Sequence, residues 1–338
     1  MSTPETLPVG KLHSALLKRL LHYRGTPDPR VVQGPAVGED AAVIDIGDRY
    51  LVAKTDPITF VTEDLGWYLV QVNANDLATT GATPRWLLVT LLLPEGAAPA
   101  LAEAVCSQVD AACRALGIAI VGGHTEVTAG LDRPIAVGHM LGEVHKDRWI
   151  HTGGARLGDD LVLVKPIAIE ATSILARAFA DELRQRGYAA ESIARAEAYL
   201  YKPGISVVRE ARIALEAARV HAMHDPTEGG IATAIHELAE AAGLGAVVEA
   251  SAIPITPESA ALCAEFRLDP LGVISSGALL VALDPRDTPG LQAVYDREGI
   301  PCAIIGRTTK ASEGVMLLSG SGVCDLPRFD QDEIARLF

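Results

Sequence analysis

Apolar residues recur along the chain with two periods, and each period predicts a different kind of element. Leucines at helical spacing within residues 11–23 predict an amphipathic helix. The apolar run at 86–93 is typical of a strand that is buried on both faces. Residues 99–116 are rich in alanine and precede Gly117, which together predict a long helix with a glycine C-cap.

Shorter apolar segments predict the remaining elements. Strands are expected at 41–46, 50–54, 118–121, 135–144, 161–164, 221–225, 247–250, 278–283, 303–305 and 315–318, and helices at 65–80, 171–185, 205–218 and 231–242. Glycine and polar residues dominate 151–160, so we place a domain boundary there. The sequence therefore predicts an α/β (α+β) protein with an N-terminal domain of residues 1–150 and a C-terminal domain of residues 151–338.

Composition narrows the classes of function. Hydrophobic residues make up 49% of the 338 residues and aromatic residues 4%, so the core must consist of aliphatic side chains, which suits parallel strands covered by helices. The formal net charge is −14 and no basic stripe is visible, so nucleic acid is not an expected partner. Neither a signal peptide, a membrane span nor a CxxC pair is recognisable. We expect a cytoplasmic, reduced protein that has no membrane partner.

Carboxylates occur at two predicted strand ends. Gly38 and Asp40 precede the first of these strands, and Lys54 and Asp56 end the next one. Asp40 and Asp56 could meet there and hold a hard cation through oxygen ligands, while Lys54 contacts a phosphate. A turn at the first segment and a surface ion pair at the second are the alternative interpretations.

A third polar cluster interrupts the helix predicted at 65–80. Asn73, Asn75 and Asp76 are residue types that form helix interiors poorly, so their concentration requires a reason. Contact with a metal or a nucleotide is one explanation, and capping of a kinked helix is the other.

A pair of glycines follows the strand predicted at 118–121. Gly122 and Gly123 would let the backbone approach a phosphate and form an anion nest. Thr125 supplies a hydroxyl and Glu126 a carboxylate for a metal, and His124 is the candidate proton carrier of this set. A plain Gly-Gly turn is the alternative, and the segment is not a Walker A loop.

A second pair, Gly229 and Gly230, belongs to the segment DPTEGG, which immediately precedes a predicted helix. Thr227 could cap that helix, and its first N–H groups could bind an anion. Asp225 is a candidate for proton transfer or for orienting an acceptor. A capped loop-to-helix turn without further function is the alternative.

These segments together form a set that suits Mg-nucleotide chemistry by positioning and charge neutralisation. Glycine-rich segments would hold the phosphates. The predicted oxygen ligands of the metal are Asp40, Asp56, Asp76 and Glu126.

The segments GEDAAV, KTD, NAND, GGHTEV, DPTEGG and SSGALL occur in this order between Gly38 and Leu280, within a resemblance that covers about residues 10–309. The ordered set resembles the superfamily of aminoimidazole ribonucleotide synthetase, selenophosphate synthetase, thiamine monophosphate kinase and the hydrogenase-maturation protein HypE. The resemblance implies an N-terminal mixed-sheet domain that forms a barrel across a homodimer, followed by a C-terminal α/β domain. It also implies ATP in the groove between the domains, with Mg²⁺ and phosphates at Asp40, Asp56, Asp76, Gly122, Gly123 and Thr125.

The segment DPTEGG is most similar to the DPTRGG loop of HypE, with Glu228 in place of an arginine. HypE proteins end in a cysteine that carries the carboxamide to be dehydrated with ATP, whereas this chain ends in Arg-Leu-Phe and its last cysteine is Cys324. The resemblance therefore implies a HypE-like branch that activates a carbonyl or amide oxygen with ATP. The acceptor would be a small molecule or a group carried by a protein. The alternatives are a small-molecule kinase similar to thiamine monophosphate kinase and a non-catalytic hydrogenase-maturation partner.

Overall fold

The computed structural model describes residues 7, 12, 14–36, 41–59, 61–320 and 322–338. Contacts between residues divide the chain into two units. One unit spans residues 23–149, and the other holds residues 150–338 together with helix α1 (Ser14–Leu20). Within the described part of the chain, no helix is both long and apolar enough to cross a membrane.

The described residues of the 23–149 unit form one mixed sheet and two helices. The strands are β1 (Val31–Gln33), β2 (Ala42–Asp45), β3 (Arg49–Ile58), β4 (Thr83–Pro94), β5 (Ala119–Thr128) and β6 (Ile135–His145), and the helices are α2 (Leu65–Thr79) and α3 (Pro99–Leu116). The strand order is β1-β2-β3-β6-β4-β5, so β5 lies at one edge of the sheet.

The described residues of the 150–338 unit form a second mixed sheet with helices. The strands are β7 (Asp160–Val164), β8 (Val220–His224), β9 (Leu244–Glu249), β10 (Leu279–Leu283), β11 (Cys302–Lys310), β12 (Val315–Ser319) and β13 (Gly322–Asp325). The helices are α4 (Ile169–Ala178), α5 (Ala180–Gln185), α6 (Ala190–Glu197), α7 (Val208–Ala217), α8 (Gly230–Ala242), α9 (Pro257–Glu265) and α10 (Thr288–Glu298). The strand order is β13-β12-β9-β11-β7-β10-β8.

The predicted class is confirmed, but the expectation of mainly parallel strands is wrong. Among the described strands, the parallel neighbours are β4 with β5 and β9 with β12, and the other neighbours are antiparallel. Strand β10 explains the error, because all five of its residues are buried although both of its neighbours run antiparallel to it. A continuous apolar run indicates that a strand is buried on both faces, but it does not indicate whether its neighbours are parallel or antiparallel.

Helix α2 occupies the centre of the 23–149 unit. It packs against β3, β6 and β4 and, on another side, against α3. Gly66 permits the contact with α3, since a Cβ atom at this position would lie 2.5 Å from the carbonyl oxygen of Val105. The polar side chains of α2 are therefore carried into the interior of the unit, where they need partners.

Candidate functional site

Two predicted carboxylates of the 23–149 unit converge on one lysine. Lys54 and Asp56 are two residues apart on β3 and so lie on the same face of the sheet. Helix α2 packs on β3 and brings Asp76, whose side chain is 6% exposed, to the same place. Lys54 Nζ lies 3.1 Å from Asp76 Oδ2 and 3.4 Å from Asp56 Oδ2. The structure thus brings together residues that are far apart in the sequence.

Asn73 fixes the main chain at this place. Its Oδ1 accepts the N–H of Asp56 at 3.0 Å, and its Nδ2 donates to the carbonyl oxygen of Leu69 at 2.9 Å. The amide also fills the space over Gly138 on β6, where a Cβ atom would lie 2.6 Å from Asn73 Nδ2. Asn73 is therefore a positioning residue, and its spacing of three from Asp76 was the signal that both share a helix face.

The other predicted nucleotide-contacting residues of this region are Asn75, Gly38 and Asp40. Asn75 is buried in α2, and its spacing of two from Asn73 directs it to a different side of the helix. Gly38 and Asp40, predicted to bind nucleotide and metal, lie outside the described residues.

The prediction that the strand ends before Gly122 is wrong, because the whole segment GGHTEV lies inside strand β5. Gly122 and Gly123 therefore do not form an anion nest. The second glycine is required by close packing, since a Cβ atom at Gly123 would lie 1.9 Å from the carbonyl oxygen of Val89 on β4. Apolar residues and glycines do not separate a turn from an edge strand, which explains the wrong prediction. Thr125 is exposed on the same strand.

His124 and Glu126 form an exposed pair on β5. His124 Nε2 lies 3.1 Å from Glu126 Oε2, and the hydroxyl of Thr128 donates to Glu126 Oε1 at 2.9 Å. The hydrogen bond with His124 and then that from Thr128 lower the pKa of Glu126. Strands β6 and β4 lie between β5 and β3, so within one chain Glu126 is not grouped with Asp56. The described side chains of His, Cys, Asp and Glu form no group of three that could hold a metal ion.

In the 150–338 unit, the segment DPTEGG joins β8 to α8. Asp225 is buried at the end of β8, and Glu228 is half-buried. Gly229 and Gly230 have φ of 78° and 62°, and a Cβ atom at Gly230 would lie 2.5 Å from the carbonyl oxygen of Leu271. Both glycines are therefore required by backbone conformation and packing.

The predicted cap of α8 is corrected by the structure. The capping position belongs to Gly229, which has no side chain, and not to Thr227. Asp332 Oδ2 accepts the N–H of Gly229 at 2.8 Å, and the carbonyl oxygen of Thr227 accepts the N–H of Gly230 at 3.0 Å. Both amides that were predicted to bind phosphate are thus already paired within the protein, and the anion at this helix terminus is a carboxylate of the chain itself.

A cluster of acidic side chains surrounds this loop, and two of its members, Glu170 and Asp332, were not predicted from the sequence. Glu170 lies in the first turn of α4, and Asp332 precedes the short 3-10 turn Glu333–Leu337. Burial raises the pKa of Glu170 to about 7, against a hydrogen bond with Ser276 that lowers it, while Asp332, Glu228 and Asp225 raise it further. Burial also raises the pKa of Asp332. No spacing in the sequence links positions 170 and 332, so only the fold could reveal the cluster.

The SSGALL segment connects this cluster to α4. Ser275 Oγ accepts the N–H of Ala168 at 2.9 Å and donates to the carbonyl oxygen of Val273 at 2.9 Å. Ser275 and Ser276 are both buried. The segment therefore positions the start of α4, and with it Glu170.

Comparisons with known proteins agree with this architecture. Residues 38–144 match the model of the AIR synthase related protein N-terminal domain, and residues 156–318 match that of the C-terminal domain. A putative hydrogenase expression/formation protein of Methanocaldococcus jannaschii is 29% identical over 86% of this chain and 85% of its own length. The carbamoyl dehydratase HypE of Rhodobacter capsulatus is 30% identical over 79% of this chain and 75% of its own length.

A crystal structure of the hydrogenase maturation protein HypE in complex with ATP is similar to this chain, with a TM-score of 0.71 and 25% identity. The similarity covers 96% of this chain and 97% of that one. The two matched domains, the sequence relatives and the shared fold all indicate the same family. The chain belongs to the AIR synthase-related family.

Proposed function

We propose that this protein binds Mg-ATP in its 23–149 unit and uses it to activate a carbonyl or amide oxygen by phosphorylation. The acceptor is a small molecule or a group carried by a protein. Displacement of the phosphorylated oxygen then releases inorganic phosphate. The relatives named carbamoyl dehydratase HypE and the HypE structure that holds ATP support this reaction class.

One observation carries the nucleotide proposal: the convergence of Asp56 and Asp76 on the ammonium group of Lys54. Two carboxylates at one place form an oxygen donor set that fits Mg²⁺, which in nucleotide sites takes one or two carboxylates together with phosphate oxygens and water. Lys54 supplies a positive charge for a phosphate group. When bound, Mg²⁺ would neutralise phosphate charge, and Asp40 is the third carboxylate that we assign to it.

The remaining predicted residues keep their proposed roles only in part. Within one chain, two strands separate Glu126 and Thr125 from Asp56. We therefore do not place Glu126 and Thr125 in a metal site with Asp56. His124 and Asp225 stay candidates for proton transfer. The pairing of the Gly229 and Gly230 amides within the protein removes them from the proposed phosphate contacts.

We also propose that the protein is a homodimer that pairs through β5. This strand lies at a sheet edge, and its exposed apolar side chains include Val121 at 52% and Val127 at 63% exposure. An exposed apolar edge strand is an aggregation hazard unless another chain covers it. A second copy of this chain, pairing β5 with β5, would cover the edge.

Calorimetric titration of ATP with and without Mg²⁺ tests the nucleotide site, using the wild type, Asp56→Ala and the control Asp110→Ala on the exposed surface of α3. We expect Mg-dependent binding that is lost in Asp56→Ala and retained in the control. Folded wild-type protein that binds no ATP would contradict the proposal. Release of free phosphate, as opposed to a phosphorylated product, separates oxygen activation from a kinase reaction.

A further inference from the structure

The acidic cluster around DPTEGG has a charge opposite to that of a phosphate site. Asp332 already occupies the N–H group of Gly229 at the start of α8, where an anion from outside would otherwise bind. Position 228 of the same loop carries a further carboxylate, that of Glu228. The charges that act most strongly on Glu170 come from Asp332, Glu228 and Asp225, and all three are negative. The cluster therefore repels phosphate and attracts a cation.

Glu170 provides a second, independent observation. Its side chain is buried, with 5% of the residue exposed, and its Oε2 has no hydrogen-bond partner in the structure. A buried polar atom without a partner costs about 1–3 kcal/mol, so such atoms call for an explanation. Helix α4 and the Ser275–Ser276 segment hold this oxygen among the other carboxylates. A donor supplied by a ligand would satisfy it.

The rim of the cluster is partly exposed to solvent. Thr227 and Glu228 are half-buried, whereas Asp225 and Glu170 lie deeper. A metal ion is a poor candidate, because the described His, Cys, Asp and Glu side chains form no group of three that could coordinate one. A planar organic cation differs from a metal in carrying N–H donors on two sides. It can pair with separate carboxylates without a closed coordination shell.

We infer that Glu170, Asp225, Glu228 and Asp332 form a binding site for a planar organic cation of the amidinium class. Glu228 meets the cation at the rim, and Glu170 accepts its N–H at depth. The inference goes beyond the proposed function and does not depend on it. The acidic site itself is a property of the 150–338 unit and needs no ATP.

The experiment uses the full chain labelled with ¹³C at the glutamate carboxyl carbon, without nucleotide, and acetamidinium chloride as the probe. The signals of Glu170 and Glu228 are assigned as those that are missing from the spectra of the variants Glu170→Gln and Glu228→Gln. The signal of Glu191, an exposed residue of α6, is the internal control and is assigned in the same way. Acetamide serves as the neutral isostere, and sodium chloride at equal concentration controls for ionic strength.

We expect the Glu170 and Glu228 signals to move saturably with acetamidinium while the Glu191 signal stays in place. Acetamide and sodium chloride should leave all three unchanged. Glu228→Arg, at the rim where folding is least at risk, should weaken binding by at least about tenfold. The inference is overturned if neither cluster signal moves, if sodium chloride moves them equally, or if Glu228→Arg binds the probe as tightly as the wild type. Because no ATP is present, these outcomes are independent of the nucleotide titration.

Discussion

The side-chain amide of Asn73 holds the main chain of Asp56, since its Oδ1 accepts the Asp56 N–H at 3.0 Å while its Nδ2 donates to Leu69 at 2.9 Å. One residue of α2 therefore sets the position of a carboxylate on β3. Asn73 would therefore hold the proposed metal ligand Asp56 in place without being a metal ligand itself.

Replacing Asn73 by alanine is expected to lower the free energy of unfolding and to weaken Mg-ATP binding together. The change leaves the Asp56 N–H without its acceptor, which costs about 1–3 kcal/mol. Chemical denaturation measures the first effect and calorimetric titration with ATP the second. Asp110→Ala, on the exposed surface of α3, is the control for both. Unchanged ATP affinity in a destabilised Asn73→Ala would show that Asn73 does not position the nucleotide site.

The neighbouring glycines of β5 are expected to respond differently to alanine. A Cβ atom at Gly123 would lie 1.9 Å from the carbonyl oxygen of Val89, whereas the nearest atom to a Cβ at Gly122 is 3.8 Å away on Leu88. Both glycines have positive φ, so the difference between the two variants isolates the close contact with β4. We expect Gly123→Ala to be less stable than Gly122→Ala by about 2 kcal/mol or more, measured by urea denaturation. Equal stability would mean that β4 and β5 separate at little cost.

The structural features that could be predicted from the sequence are those that depend on a local pattern of residues. Helix α3 begins and ends where its alanine-rich pattern does, and Gly117 terminates it with φ of 69°. Two of the four predicted metal ligands, Asp56 and Asp76, also lie together beside Lys54. These features follow from the periodicity of apolar residues and from polar residues that interrupt an apolar element. Both patterns can be recognised in the amino-acid sequence alone.

What the sequence could not predict depends on contacts between distant segments. Gly229, and not Thr227, lies at the capping position of α8. Its N–H is accepted by the side chain of Asp332, which is more than a hundred positions away in the sequence. Helix α6 was missed because it is short and only Ile193 and Ala196 of its eight residues are buried. The glycine pair of β5 was assigned to a loop because glycine marks both turns and close packing between strands, and only the neighbouring strand distinguishes them.

The stability of the protein is expected to depend on pH through Glu170. Its pKa of about 7 in the folded protein exceeds the value of 4.5 for an unperturbed glutamate. The folded state therefore favours the protonated form, and the stabilisation that is complete below about pH 4.5 is lost as the pH rises through 7. Between pH 5 and pH 9, we expect the wild type to lose about 2–3 kcal/mol relative to Glu170→Gln.

Urea denaturation of the wild type and of Glu170→Gln at a series of pH values measures this difference. Glu191→Gln, on the exposed surface of α6, should follow the wild type at every pH. Parallel curves for the wild type and Glu170→Gln would mean that Glu170 titrates at an ordinary pKa in the folded protein.

A buried lysine stabilises the 150–338 unit. Lys165 Nζ donates to the carbonyl oxygens of Gly204 at 2.9 Å and Ser206 at 2.6 Å, and lies 3.5 Å from Glu210 Oε1. Burial lowers the pKa of Lys165. Lys165→Met is expected to cost about 3–5 kcal/mol, because it leaves a buried carboxylate without its partner.

The double variant Lys165→Met/Glu210→Met is expected to recover part of that loss, since it removes the unpaired charge along with the pair. Thermal and urea denaturation measure both variants. Lys202→Met, at an exposed position of the same loop region, is the matched control and should stay near wild-type stability. A double variant that is less stable than Lys165→Met would argue that Glu210 has another stabilising role.

The exposed edge of β5 is expected to decide the oligomeric state. Lysine at both Val121 and Val127 places two charges on the strand that we propose to pair across a dimer, and desolvating them would oppose association. Sedimentation velocity should show a dimer for the wild type and a monomer for the double variant. Ile304→Lys, which alters an exposed apolar residue on β11, should leave the dimer intact. A monomeric wild type, or a double variant that stays dimeric, would exclude β5 as the dimer interface and leave its exposed apolar side chains without a partner.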